Sequence, residues 1–202
     1  RCIIGADAAM LDGFTVTQGY SISDKGDITD YMGGAVLNSW VSPTVRNCTF
    51  ENNIAILAGG AVCNYGSSPQ YLDCSFMENT TGYQIPVDGF GGGAVQNVYG
   101  TPTFARCIFK ANSSLSGGAM DNYGSYSLLE NCVFAQNHAV DSGGAIYNYS
   151  YGTVSVTNCT ISENSAEDTG GAIYDNGANT TVKNSILWRD TAKYACPELR
   201  LY

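Results

Sequence analysis

The 202-residue chain carries 18 Asp and Glu against nine Lys and Arg, a net charge of −9. That balance works against recognition of nucleic-acid or anionic-membrane phosphates, and no apolar run reaches the ~18 residues of a membrane-spanning helix. With 44% hydrophobic residues, 13% charged residues and 24 glycines, the composition fits one folded domain, residues 1–202, rich in turns and short of surface helix. The opening "RCIIGAD" lacks the features of a signal peptide, and the chain is expected to be a mature or trimmed piece of a longer protein.

Along the chain one phrase recurs. The segment "LDGFTVTQG" ends in Val16-x-x-Gly19 and leads into a long insertion, 20–32. A Gly-Gly-Ala triplet opens at Gly33, followed by Phe50-x-x-Asn53, a short link at 54–58, and a second triplet at Gly59. Phe76-x-x-Asn79 comes next, then another insertion, 81–91, and the triplet at Gly92. From there the phrase repeats evenly. It runs through Phe109-x-x-Asn112, Gly117, Phe134-x-x-Asn137, Gly143, Ile161-x-x-Asn164 and Gly170 to a worn copy, Leu187-x-x-Asp190. The triplets are spaced by 26, 33, 25, 26 and 27 residues, a period that belongs to repeat architectures.

Each unit lacks helical periodicity and contains short β-favouring runs such as "GTVSVTNCTI". Val154, Val156, Cys159 and Ile161 alternate, with a break of phase at Asn158 that reads as a bend between two strands. Strands this short bury a face only by stacking on copies of themselves. The expected fold is therefore all-β, a parallel β-helix of about seven coils of 25–27 residues, roughly 34 Å long at ~4.8 Å per coil. Gly-Gly permits a tight turn before Ala. Ala and the next residue (Val36, Val62, Val95, Met120, Ile146, Ile173) should point into a narrow core. The Asn of each Phe-x-x-Asn (Asn53, Asn79, Asn112, Asn137, Asn164) and a second column, Asn38, Asn64, Asn97, Asn122, Asn148 and then Asp175, should stack as amide ladders. Phe50, Phe76, Phe109 and Phe134 form the matching apolar ladder.

Eight cysteines invite a disulfide framework, but Cys48, Cys74, Cys107, Cys132 and Cys159 share one repeat position. Phe14 fills that position in the first unit, which makes it an inward column. Stacked parallel Cβ vectors suit the disulfide torsion badly, and a line of thiols does not converge on a metal. The five are expected to be small buried hydrophobes with free thiols. Cys63 shares a column with Leu37, Gln96, Asp121, Tyr147 and Tyr174 and is expected to face outward. Cys2 and Cys196 fall in opposite end coils.

The pairing of GGA[VIM] with F-x-x-N resembles the repeats of chlamydial polymorphic outer-membrane proteins. The phrases "ADAAMLDGFTVTQG", "SPTVRNCTFENN" and "NSILWRDTA" resemble exported right-handed parallel β-helix proteins of the pectate-lyase-like superfamily. The resemblance implies a right-handed coil and an extracellular or cell-surface passenger, stalk or adhesin, with polysaccharide-active enzymes as the other branch. In that branch catalysis uses clustered outward carboxylates, often with Ca²⁺ or an Arg or Lys base. Here there is no Asp-Asp pair, Gly-His-Gly or Arg-x-Lys, and Arg46, Arg106 and Lys183 are scattered over separate coils. The single His138 reads as an exposed loop residue. The favoured expectation is a non-catalytic adhesin, stalk or filament subunit without a cofactor or metal. Ca²⁺ belongs only to the alternative, and the partners would be other copies, other surface proteins or glycans. Open strand edges at the end coils favour self-association.

Two features hold the candidate binding residues. Both insertions leave the same edge, with the short link 54–58 between them, so they could wall a groove about one sugar wide. Asp24, Asp27, Asp30, Tyr83, Asp88 and Phe90 would line it, with Tyr20 and Tyr31. Separately, Tyr65, Tyr123 and Tyr149 follow the Asn column, with Tyr99 and Tyr151 nearby. Such a row stacks on itself, on sugar rings or on a protein partner.

Overall fold

The computed structural model describes residues 2–22, 27–82 and 90–200. Each repeat makes one turn of a coil with four short strands, as in Val62–Tyr65, Gln70–Leu72, Ser75–Met77 and Thr80–Thr81. Every strand pairs in parallel with its equivalent one repeat on, without slippage: Phe76 lies between Phe50 and Phe109, and Asn97 between Asn64 and Asn122. Four parallel sheets result. One, holding the strands that follow the Gly-Gly-Ala triplets, has eight described strands, and the other three have seven each. We call them the triplet sheet and, in the order the chain visits them, the second, third and fourth sheets. The molecule is a parallel β-helix of about seven coils, as the repeat implies.

The coil closes because single residues turn its corners. Between the second and third sheets Asn47, Asp73, Arg106, Asn131, Asn158 and Asn184 hold φ between 50° and 55°. Asn158, where the alternation breaks, is one of them. The next corner uses Asn52, Glu78, Ala111, Gln136, Glu163 and Arg189 in the same left-handed region. That conformation disfavours L residues other than Asn, Asp and Gly, so stacking of the coils, not local preference, holds this second corner.

The two glycines of a triplet do different work. The first has positive φ, +60° at Gly59 and +71° at Gly92. The second is required by close approach: a Cβ on Gly60 would lie 2.1 Å from the carbonyl oxygen of Gly93, and one on Gly118 2.1 Å from that of Gly144.

Inside, Phe50, Phe76, Phe109 and Phe134 stack nearly parallel with centroids 5.1, 4.7 and 4.5 Å apart. A second stack, Tyr71 on Phe104, has a 4.7 Å spacing. The Asn ladder at the corner between the third and fourth sheets is continuous. Each side chain donates to a carbonyl one coil back, that of Val16 for Asn53 and of a Phe for the others, and to the next rung of the ladder. Asn79, for example, donates through Nδ2 to Phe50 O at 2.9 Å and to Asn112 Oδ1 at 3.0 Å. The ladder starts at Gly19 N, which donates to Asn53 Oδ1, and ends at Asp190 Oδ1, which accepts from Asn164. The second ladder links Asn38, Asn64, Asn97, Asn122 and Asn148 by Nδ2 to Oδ1 bonds of 2.8 Å.

Four details correct the sequence reading. The second ladder does not pass to Asp175. Asn148 donates to Thr180 Oγ1 at 2.7 Å, and the Asp175 carboxylate accepts from Thr180 and from Ala178 N. Cys63 does point away from the main core, but it is fully buried in a second apolar cluster with Met32, Leu37, Leu57 and Ala58. Phe14 is 57% exposed, because no described coil lies above it to cover a ring. His138 lies half-buried in the strand His138–Ala139, with Nδ1 3.0 Å from Ser165 Oγ. All eight cysteines are free thiols, and the five-member column is buried, with Cys48 Sγ donating to Arg46 O at 3.1 Å.

Candidate functional site

At the loop edge, the first insertion opens in the strand Tyr20–Ser21, with Tyr20 exposed, and later forms a short 3₁₀ helix, Ile28–Tyr31. Asp27 caps it: its Oδ1 accepts from Thr29 N at 2.9 Å and from Thr29 Oγ1 at 2.8 Å. Asp30 lies in the helix, half-buried. Phe90, from the second insertion, and Tyr31, from the first, both pack on the cluster of Met32, Leu37, Leu57, Ala58 and Cys63. Over the described residues, Leu57 and Ala58 of the short link thus share one apolar cluster with residues of both insertions. Asp24, Tyr83 and Asp88 lie outside the described residues.

The outer face of the triplet sheet continues past that cluster. Its column runs Leu37, Cys63, Gln96, Asp121, Tyr147, Tyr174, Arg200. Asp121 is 1% exposed. Its Oδ1 accepts from Gln96 Nε2 at 2.9 Å, and Gln96 Oε1 accepts from Gly91 N at 2.7 Å. Asp121 Oδ2 is buried and accepts no hydrogen bond among the described residues. Burial raises the carboxyl pKa to about 7, against a smaller lowering by Gln96. Beyond it Tyr147 stacks on Tyr174 at 5.2 Å. Burial pushes Tyr147 up to about 12, and Asp141 is raised by burial and then by the neighbouring charge of Asp168.

A third surface is the corner between the triplet and second sheets. Trp40, Tyr65, Tyr99, Tyr123 and Tyr149 place one aromatic ring on each of five consecutive coils. Trp40 meets Tyr65 edge-on at 5.8 Å, Tyr99 meets Tyr123 edge-on at 5.5 Å, and Tyr123 lies 5.3 Å from Tyr149. Trp40 and Tyr99 have φ of +59° and +58°, at the position that Gly66 and Gly124 hold in the coils after them. The Trp40 ring lies across Gly66, and the Tyr99 ring across Gly124. Alongside runs a line of hydroxyls: Ser68 N donates to Ser42 Oγ, and Thr101 N and Oγ1 donate to Ser68 Oγ, all exposed.

Against known families, residues 87–193, more than half of the chain, match the right-handed β-helix region. The chain belongs to the right-handed β-helix family. Residues 47–65 of this β-helix protein also match the Chlamydia polymorphic membrane protein repeat, over one Phe-x-x-Asn and the triplet after it. No curated protein and no solved structure matches the chain.

Sequence reasoning picked out Tyr65, Tyr99, Tyr123 and Tyr149 in this β-helix, but not Trp40, whose coil carries its aromatic one place later. Reading the two positions together, Ser39-Trp40, Tyr65-Gly66, Val98-Tyr99, Tyr123-Gly124, would have shown one ring per coil in alternating columns. It also missed Gln96 and Asp121 as buried groups. Their signal was the apolar Leu37 and Cys63 above them in a column taken to be exposed. Among the described residues no group of three or more His, Cys, Asp and Glu is placed to hold a metal ion, and no described helix is long and apolar enough to cross a membrane.

Proposed function

We propose that this β-helix is a non-catalytic, rod-forming segment of an exported surface protein, acting as an adhesin, stalk or filament subunit. The observation that carries the reading is the unbroken Asn ladder from Gly19 to Asp190. It ties each coil to the next through buried amides and makes the coils one continuous body. The match of residues 47–65 to a polymorphic membrane protein repeat supports a surface role.

A second reading has one specific observation behind it. Asp121, Asp141 and Tyr147 bring perturbed titrating groups to one outer face, a pattern that also marks catalytic sites. There the protein would bind or cleave a polysaccharide. The experiment separating the two is product analysis by mass spectrometry after incubating the chain with neutral and acidic polysaccharides, with and without Ca²⁺. The rod reading predicts no product. Product that disappears in Asp121→Asn would replace it with the second reading.

A further inference from the structure

We propose that Asp190 and Glu198 hold one proton between them, and that this proton fastens the segment 191–200 to the rest of the β-helix, so that the segment lets go as the pH rises through neutrality. The device is independent of the surface role proposed above.

Two observations carry it. The first is the chemistry of the rung. Each amide of the ladder before position 190 both accepts and donates. Oδ1 accepts from the rung before it, and Nδ2 donates to a carbonyl one coil back, that of Phe109 for Asn137 and of Phe134 for Asn164. Asp190 keeps the accepting half: its Oδ1 accepts from Asn164 N at 2.8 Å and from Asn164 Nδ2 at 2.7 Å. Its Oδ2 stands where the other rungs carry the donating Nδ2, and the register makes the carbonyl of Ile161 the corresponding acceptor. An ionised carboxylate has nothing to donate there. Asp190 is only 4% exposed, and its Oδ2 is buried with no hydrogen-bond partner among the described residues.

The second observation is what meets that carboxyl. Glu198 lies within hydrogen-bond reach of Asp190, and Glu198 Oε2 is another buried oxygen without a partner among the described residues. Two carboxylates side by side are acceptors only, and their like charges oppose each other. One shared proton supplies the missing donor and leaves a single charge on the pair. The other charged groups around Asp190 engage elsewhere. The Arg189 guanidinium lies 5.9 Å from the centre of the Trp188 ring, and the Lys193 ammonium 4.9 Å from that of Tyr194. Glu163, on the coil before, is exposed and accepts from Gln136, and the charge of Arg200 acts on Tyr174. Burial, and then the Glu198 carboxyl, raise Asp190 to about 7 against the lowering by Asn164.

Glu198 is also where the segment is tied down. Ala172 N donates to Pro197 O at 2.9 Å, Ile173 N donates to Glu198 O at 3.1 Å, and the strand Leu199–Arg200 pairs with Ile173 and Tyr174. Farther back, Tyr194 N donates to Asp168 O at 3.0 Å. The docked segment keeps a proton that a released one, with a carboxyl near 4, gives up. Docking is therefore complete below about pH 4, weakens ~10-fold per pH unit above it, and levels off at about 7.

The test is native-state hydrogen exchange of the full chain, corrected for the intrinsic pH dependence of amide exchange. The amides of Ala172, Ile173 and Tyr194 read the segment, and those of Ala119 and Ala145 read inner coils. Opening at the first three should rise ~10-fold per pH unit from about pH 5 and level off near 7, while Ala119 and Ala145 stay the better protected throughout. Asp190→Asn restores the amide that the other rungs carry and should abolish the rise without lowering the melting temperature. Glu198→Gln removes the opposing carboxyl and should move the levelling point to lower pH. The carboxyl ¹³C signal of Asp190 should report loss of one proton near neutrality in the parent and at lower pH in Glu198→Gln. Four results would each overturn the proposal: no rise in the parent, the same rise in Asp190→Asn, titration of Asp190 in the ordinary carboxylate range, or protection restored at about pH 8 by Ca²⁺ acting through these two side chains, which would make the pair a cation site.

Discussion

At the scale of single residues, two kinds of buried group set the chemistry of this protein. The thiols of Cys48, Cys74, Cys107, Cys132 and Cys159 face the core, and Cys63 is covered by Met32, whose Sδ lies 3.8 Å from its Sγ. Burial pushes the Cys48 thiol up, away from the reactive thiolate. Alkylation of the native protein followed by mass spectrometry should modify exposed Cys2 and Cys196 and spare the other six. Modification of Cys63 as fast as Cys2 would contradict the covering of the triplet sheet. The second kind is the carboxyl in a dry site. Asp121 and Asp190 are both raised to about 7, chiefly by burial, from an unfolded value near 4. The folded state then holds protons that the unfolded state releases. Their stabilising contribution is complete below about pH 4 and is lost as the pH rises through about 7. Unfolding by urea should show this part of the stability falling between those limits, by on the order of a few kcal/mol. Asp121→Asn should flatten the slope, and an unchanged slope would place the carboxyl in water.

At the scale of the coil, residues act through their copies. Phe76 is sandwiched between Phe50 and Phe109, so Phe76→Ala empties the middle of a stack and should cost about 3–5 kcal/mol in a denaturant titration. Gly118→Val should be at least as damaging, because a Cβ there meets the Gly144 carbonyl oxygen at 2.1 Å, a backbone atom that cannot swing aside. Near-parent stability of both would remove the basis for the packing described. Much of this was legible in the sequence, because the lumen is narrow and repeats the same demand in every coil: Phe above Phe, Asn above Asn, glycine wherever the next coil touches. What was not legible arose where that demand lapses. The left-handed corner at Glu78, Ala111 and Gln136 has no propensity signal, since the coils on either side impose it. The outer column of Cys63, Gln96 and Asp121 alternates correctly away from the lumen, yet Met32 and Leu57 beside Cys63, and Gly91 bonded to Gln96, come from segments with no repeat to read. Asp175 leaves its ladder where its carboxylate accepts from the Thr180 hydroxyl and Ala178 N, and Thr180 Oγ1 takes the Asn148 amide in its place.

At the scale of the molecule, the ladders make the chain a rod whose interior is spent on holding coil to coil, leaving corners and loop edge to meet other molecules. The partner classes legible from the sequence, glycan or protein, followed from the aromatic row. Trp40 and the glycine beneath it emerged only once the coils were in register. The account stands or falls on the continuity of the rod across the insertion at 81–91, where the coils on either side still share the Asn53, Asn79 and Asn112 bonds. Native-state hydrogen exchange, resolved at single backbone amides, measures that continuity. It should find the amides of Asn53, Asn79, Asn112 and Asn137 protected alike, with protection declining only toward the two end coils. Loss of protection that begins between Asn79 and Asn112 and divides the chain into two independently opening halves would contradict a single continuous β-helix.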